Sequence, residues 1–250
     1  MSPTDATDPT DTTTRSPTDA PSEPAPGGDR HRSPAEVADL YADLADDLSR
    51  WAPADRLVTG RYRRRQFGAV EGRVLDVACG TGTNFPHLPA SVDLVGVDVS
   101  PAMLRNARAE LDRLGRDGTL RRMDAADLSV PDDSFDAVVS AFATCTFPDP
   151  VAALREMRRV CRPDGRVLLL EHGRSGVGPV DRFLDWRADA HYERTGCRWN
   201  QEPLALVREA GLPVERAWRA VAGLLTGVEA RPVAAPRESS GPTRTRGGDR

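Results

Sequence analysis

The sequence predicts an α/β fold: a doubly wound, mostly parallel sheet of seven strands, with an antiparallel strand at one edge and helices flanking both faces. Three observations predict it. Short apolar runs alternate with amphipathic helical stretches along most of the chain, the pattern of parallel strands joined by helical crossovers. The first apolar run closes on a glycine turn, Gly80-Thr81-Gly82. The last two runs are joined by a short glycine-containing link, which lets them pair antiparallel at one edge.

The first thirty or so residues are Thr, Asp, Pro, Ser and Ala with almost no large apolar side chain. Such a segment buries too little surface to offset its ordering entropy. The expected organisation is a disordered tail over 1–32, one domain over 33–234 and a second disordered tail over 235–250. The domain opens on Ser33-Pro34-Ala35-Glu36, a capping box with proline at the first helical position. Val37, Leu40, Tyr41, Leu44, Leu48 and Trp51 follow at helical spacing. A second helix is expected from about Ala54 to Phe67, ending in Arg61, Arg63, Arg64 and Arg65, a cluster read as a solvated face.

Residues 73–78 form the first strand, leading into the glycine turn and a helix after it. Residues 92–97 form the second strand and end in Asp98. Ser100-Pro101 caps a helix to about Leu114. The third strand, 120–123, ends in Asp124, and the fourth spans 135–140. Asp149-Pro150 caps a helix to about Cys161. Gly165 turns it into the fifth strand, 166–170, with Glu171 and His172 at its end. An interrupted helical stretch runs to Gly211. Strands near 213–219 and 224–230 complete the sheet.

Composition narrows the function classes. Of 250 residues, 39% are hydrophobic, enough for a core, and the net charge of -4 lacks the basic excess of a nucleic-acid binder. No apolar run reaches the length of a transmembrane helix. No basic-then-apolar leader is recognisable, so a cytoplasmic protein is expected. Cys79, Cys145, Cys161 and Cys197 are scattered without the paired spacing of a zinc site or disulfide scaffold. They read as reduced thiols, and no metal is expected.

The chemistry concentrates in Val74-Leu75-Asp76-Val77-Ala78-Cys79-Gly80-Thr81-Gly82-Thr83-Asn84. Glycines there let the backbone approach a ligand. Asp98, at the tip of the next strand, can accept both hydroxyls of a ribose. A dinucleotide turn wants a small residue three positions after the second glycine. Phe85 stands there instead. A cationic sulfonium cofactor favours a carboxylate near the first strand, which Asp76 offers.

From these residues the chain resembles the class I S-adenosylmethionine-dependent methyltransferases, a Rossmann-like family. More narrowly it resembles the branch of ubiquinone/menaquinone C-methyltransferases and bacterial phospholipid N-methyltransferases. The resemblance covers about Tyr41 to Pro232. It rests on the glycine turn and on Gly96-Val97-Asp98-Val99-Ser100-Pro101-Ala102-Met103-Leu104. It rests further on Met123-Asp124-Ala125-Ala126-Asp127-Leu128, Asp133-Ser134-Phe135-Asp136-Ala137-Val138-Val139, and the stretch from Leu154 to Arg166. It implies that Asp76 and the backbone of Ala78, Gly80 and Gly82 hold the methionine part of S-adenosylmethionine. Asp98 would bind the ribose, Val99 and Met103 would line the adenine pocket, Asp124 would face the adenine amino group and the Ala125 amide its ring nitrogen. Ala141 would lie near the sulfonium. The family often has glycine where this chain has Ala78.

On the acceptor side, His172 is the best-placed general base at the carboxyl edge of the sheet, where ligands of open parallel sheets bind. His191, Tyr192, Trp186 and Trp199 could line an acceptor pocket or belong to the core. The resemblance implies methyl transfer to a small or lipophilic acceptor, of quinone, phospholipid or thiol class. Peripheral contact with a membrane is compatible with it; nucleic acid is not an expected partner. A non-catalytic cofactor-binding scaffold and, against Phe85, an NAD-dependent oxidoreductase remain the alternative readings.

Overall fold

The computed structural model describes residues 32–232. The segments expected to be disordered lie outside the described residues, apart from Arg32. That residue donates its backbone N–H to the Tyr192 hydroxyl at 3.1 Å.

The chain opens with α1 (Pro34–Phe67), started by the expected capping box: Ser33 accepts from the Glu36 amide, and Glu36 from the Ser33 amide. The break expected near Pro53 is absent, and the helix runs through the proline. An interior proline costs about 3 kcal/mol or more through its missing N–H and its ring clash. Contacts on both sides of it with one partner helix offset that cost. Before the proline, Asn106 donates to the Ala45 carbonyl at 3.0 Å; after it, Arg56 pairs with Glu110 at 2.5 Å.

The remaining elements are β1 (Arg73–Val77), β2 (Asp93–Asp98), α2 (Pro101–Leu114), β3 (Thr119–Arg122), β4 (Phe135–Ala141), α3 (Pro150–Val160), β5 (Cys161–His172), α4 (Gly178–Thr195), α5 (Pro203–Glu209), β6 (Val214–Ala220) and β7 (Leu225–Ala230). The sheet order is β3-β2-β1-β4-β5-β7-β6. The first five strands pair in parallel, and β7 runs antiparallel to both β5 and β6. The expected antiparallel edge is therefore a pair, with β7 inside it and β6 outermost.

Side chains alternate across the sheet with the period of two that strands impose. On one face Leu75, Val77, Val138 and Leu169 pack with Leu154 and Met157 of α3. On the other, Val74, Val139, Leu168 and Leu170 pack with Phe67 of α1 and Leu111 of α2. Asp76, fully buried, interrupts this apolar pattern in the middle of the sheet. The strand order reverses between β1 and β4, and the carboxyl edge at that reversal is where ligands of such sheets bind.

The helix expected after the glycine turn is absent. A single 3-10 turn, Phe85–His87, stands in its place. Pro89 pushes the preceding Leu88 to an extended conformation, with ψ of 144°, which stops helical growth.

Candidate cofactor and acceptor site

A cavity of about 380 Å³ opens at the carboxyl edge of β1, β2 and β4, beneath α1. Its floor is the turn after β1. Gly80 holds a φ of +55°, and a Cβ added there would meet no protein atom within 4 Å. Because Gly80 lines the cavity, that methyl would project into the ligand space. Ala78 also lies in the left-handed region, with φ of 54°. This conformation, costly by roughly 1–2 kcal/mol for a residue with a Cβ, is the physical reason why glycine suits the position. Gly82 does not line the cavity. Its missing side chain makes room for the Phe85 ring, 2.7 Å from where a Cβ would sit.

Asp98 organises this floor. One carboxylate oxygen accepts from the Gly80 amide and the other from the Ser100 amide, both at 2.9 Å. Each oxygen keeps a lone pair for a ligand hydroxyl. Burial raises the Asp98 pKa, and the two amides partly oppose this. Asp124 faces the same cavity beyond β3, with Ala125 beside it; its carboxylate takes the Ala126 amide at 3.0 Å. Val99, Met103 and Ala141 complete the lining residues anticipated from sequence.

Asp76 lies one layer deeper. Its Oδ1 accepts from Asn84 Nδ2 at 2.9 Å, while Oδ2 is buried without a partner. Burial pushes its pKa up to about 7, against the pull of Asn84 and Arg63 and with a push from Asp98. Asn84 in turn accepts from Arg63, so the chain Asp76–Asn84–Arg63 connects the buried acid to the cavity wall. Arg63 corrects the expectation of a solvated arginine cluster. It is 3% exposed, pairs with Asp55 at 3.3 Å and lies over the Phe142 ring. Neither Arg63 nor Asn84 was assigned a role from sequence. The signal available was only that Asn84 closes the glycine turn and that Arg63 falls on the buried stripe continued from Gly60 and Phe67.

The outer wall is apolar. Tyr41, Leu48 and Trp51 of α1 face Phe142 and Phe147 of the loop after β4. Burial raises the Tyr41 pKa, with nearby Cys145, Cys197 and Asp98 adding to it. His172 is not among the lining residues. Its ring stacks on Phe142 with centroids 6.0 Å apart, so Phe142, which does line the cavity, separates it from the ligand space. Glu171 turns to the Ala143 amide, and burial lifts its pKa to about 7. His191 and Trp199 stack on one another at 4.0 Å. Trp186 is exposed.

The scattered cysteines do not stay apart. The Cys145 sulfur, His172 Nε2 and the Cys197 sulfur all lie within 4.8 Å of one another, and Nε2 is 3.4 Å from the Cys197 sulfur. The Cys145 thiol donates to the Phe142 carbonyl at 3.7 Å; its nearness to Cys197 lowers the Cys197 pKa and raises its own.

Comparison with known proteins gives the same fold and chemistry. A methyltransferase domain family matches residues 75–169. A phosphatidylethanolamine N-methyltransferase of Cereibacter sphaeroides is 36% identical over 60% of this chain and 83% of its own length. A demethylmenaquinone methyltransferase of Renibacterium salmoninarum is 36% identical over 59% of this chain, which spans 63% of that protein. A chain from the complex of a Haloferax volcanii methyltransferase with its Trm112 activator superposes with a TM-score of 0.65. It covers 80% of this chain and 99% of its own at 20% identity, and so bears on the fold alone.

Proposed function

The chain belongs to the class I S-adenosylmethionine-dependent methyltransferases, and from that premise we propose that it methylates the amine or thiol of a lipophilic acceptor. The residues fit the donor. Gly80 leaves space for it, Asp98 has acceptor capacity left for ribose hydroxyls, and the unpartnered Asp76 oxygen supplies negative charge beneath the methionine end. When bound, S-adenosylmethionine supplies an electrophilic methyl on a cationic sulfur. The protein's part is to hold that methyl in line with the acceptor, and alignment supplies as much as roughly 7–11 kcal/mol in favourable cases.

One observation carries the acceptor class: the cavity has an apolar outer wall and no histidine in its lining. A neutral amine or a thiolate attacks with its own lone pair. A hydroxyl or a phenolic ring carbon must lose a proton and calls for a base. His172, the base anticipated from sequence, lies behind Phe142 and is given no proton-transfer role in this proposal. The apolar wall of Leu48, Trp51 and Phe147 suits an alkyl or acyl chain. No described helix is long and apolar enough to cross a membrane. An apolar wall admits either of the relatives' acceptors, a phospholipid amine or a quinone; the lack of a lining histidine favours the amine.

The test is methyl-labelled S-adenosylmethionine with three acceptors: phosphatidylethanolamine in vesicles, a long-chain alkyl thiol and a reduced demethylated quinone. Label is expected in the amine or thiol product. Label in the quinone alone would refute the proposal and bring a base back into the mechanism.

A further inference from the structure

The geometry points to a zinc site formed by Cys145, His172 and Cys197, which clips the end of α4 to the loop after β4. The three ligand atoms already lie within 4.8 Å of one another. A tetrahedral zinc, with sulfur at about 2.3 Å and nitrogen at about 2.0–2.1 Å, sets its ligand atoms roughly 3.3–3.8 Å apart. The 3.4 Å separation of His172 Nε2 from the Cys197 sulfur meets that edge length. Two thiolates and one imidazole are donors that tetrahedral zinc takes, and a water would complete the fourth position.

The surroundings fix the His172 ring, which stacks on Phe142 with centroids 6.0 Å apart and so presents Nε2 to the Cys197 sulfur. Cys145 is 1% exposed, and its carbonyl accepts from the Arg198 amide at 2.8 Å. The backbone at 145 and 197–198 is therefore joined before any metal is considered.

The fold has a use for such a clip. Helix α4 is 18 residues long but buries only Asp181 and Leu184, too little apolar contact to dock a helix of this length firmly. A metal bound by His172 before it and by Cys197 just past its end closes that excursion into a loop. Cys145 ties the loop to residues 141–148, which carry Phe142 and Phe147 of the cavity wall. Wall and helix would then be held together by one ion.

Full-length protein, purified under reducing conditions, incubated with zinc and dialysed, is expected to retain about one zinc per chain. Anaerobic exchange for cobalt should give the intense visible bands of a tetrahedral centre with a sulfur charge-transfer band. The double variant C145S/C197S should lose the metal, and H172Q should change the visible bands. In hydrogen exchange of the otherwise unaltered protein, metal removal with a thiol-directed mercurial should expose residues 178–196 and leave β1 and β4 protected. Zinc retention no greater than in C145S/C197S overturns the proposal. So does a cobalt spectrum without sulfur charge transfer, or a Cys145–Cys197 disulfide in the freshly reduced, zinc-treated protein. An H172Q spectrum identical to wild type overturns it as well.

Discussion

Binding of S-adenosylmethionine should be linked to proton release from Asp76. That carboxyl is fully buried, one oxygen has no partner, and burial holds its pKa at about 7 rather than 3.8. Below pH 7 the ligand-free protein keeps Asp76 protonated. A ligand with a positive sulfonium above it favours the ionised form and must expel the proton. If only the ionised form binds, the competent fraction rises from about 3% at pH 5.5 to about 76% at pH 7.5. Affinity should then rise about 25-fold, or ~2 kcal/mol, over that window. Titration calorimetry at pH 6 in two buffers of different ionisation enthalpy should count close to one proton released per ligand bound. Glu171, whose pKa burial also lifts to about 7, titrates in the same range, so Asp76→Asn is the necessary control. The variant keeps an oxygen for Asn84 to donate to, and it should bind more weakly with a flat pH response. Affinity constant within twofold from pH 5.5 to 7.5, or the same slope in Asp76→Asn, would refute the reasoning.

The same group predicts a stability difference in the absence of ligand. A carboxyl whose pKa is raised on folding contributes stability present below its unfolded value and lost as pH rises through its folded value. His87 and Cys197, whose pKa values both fall to about 4, act in the opposite sense over the same range, so the total curve is not diagnostic. The difference between Asp76→Asn and wild type is: it should shift in favour of the variant by up to about 4 kcal/mol between pH 4 and 7.5. Urea unfolding at each pH reads this directly, and a pH-independent difference would contradict it. In the link between β6 and β7, Val221 is half exposed with φ of 51°, a conformation in which a branched side chain is strained. Val221→Asn should therefore raise the unfolding free energy by about 1 kcal/mol, seen as a higher thermal midpoint, and a lower midpoint would show that the valine packs more than its exposure suggests.

The parts of this protein legible in its sequence are those set by short-range rules. The capping box at Ser33, the strand that runs into Gly80, Asp98 at the end of β2 and the edge pair formed by β6 and β7 each follow from a few adjacent residues. Reading fails where a distant contact outweighs the local rule. Pro53 signals a helix end, but anchors at Ala45 and Arg56 on the same partner helix carry α1 through it. The glycine turn suggests a helix behind it, yet Pro89 limits that helix to a single turn. Arg63 lies in an arginine-rich stretch that reads as solvent-facing, and it becomes buried because Asn84 and Asp55 satisfy its guanidinium. The cysteines are the extreme case. Cys145 and Cys197 are separated by fifty-one intervening residues, a spacing that signals no shared site. They meet because β4 and β5 are neighbours in the sheet and their following loops emerge at one edge. No local spacing marks that cluster, which forms only when the parallel sheet brings the loops after β4 and β5 to the same place. In this fold the sheet topology, more than any motif, determines which scattered polar residues can act together.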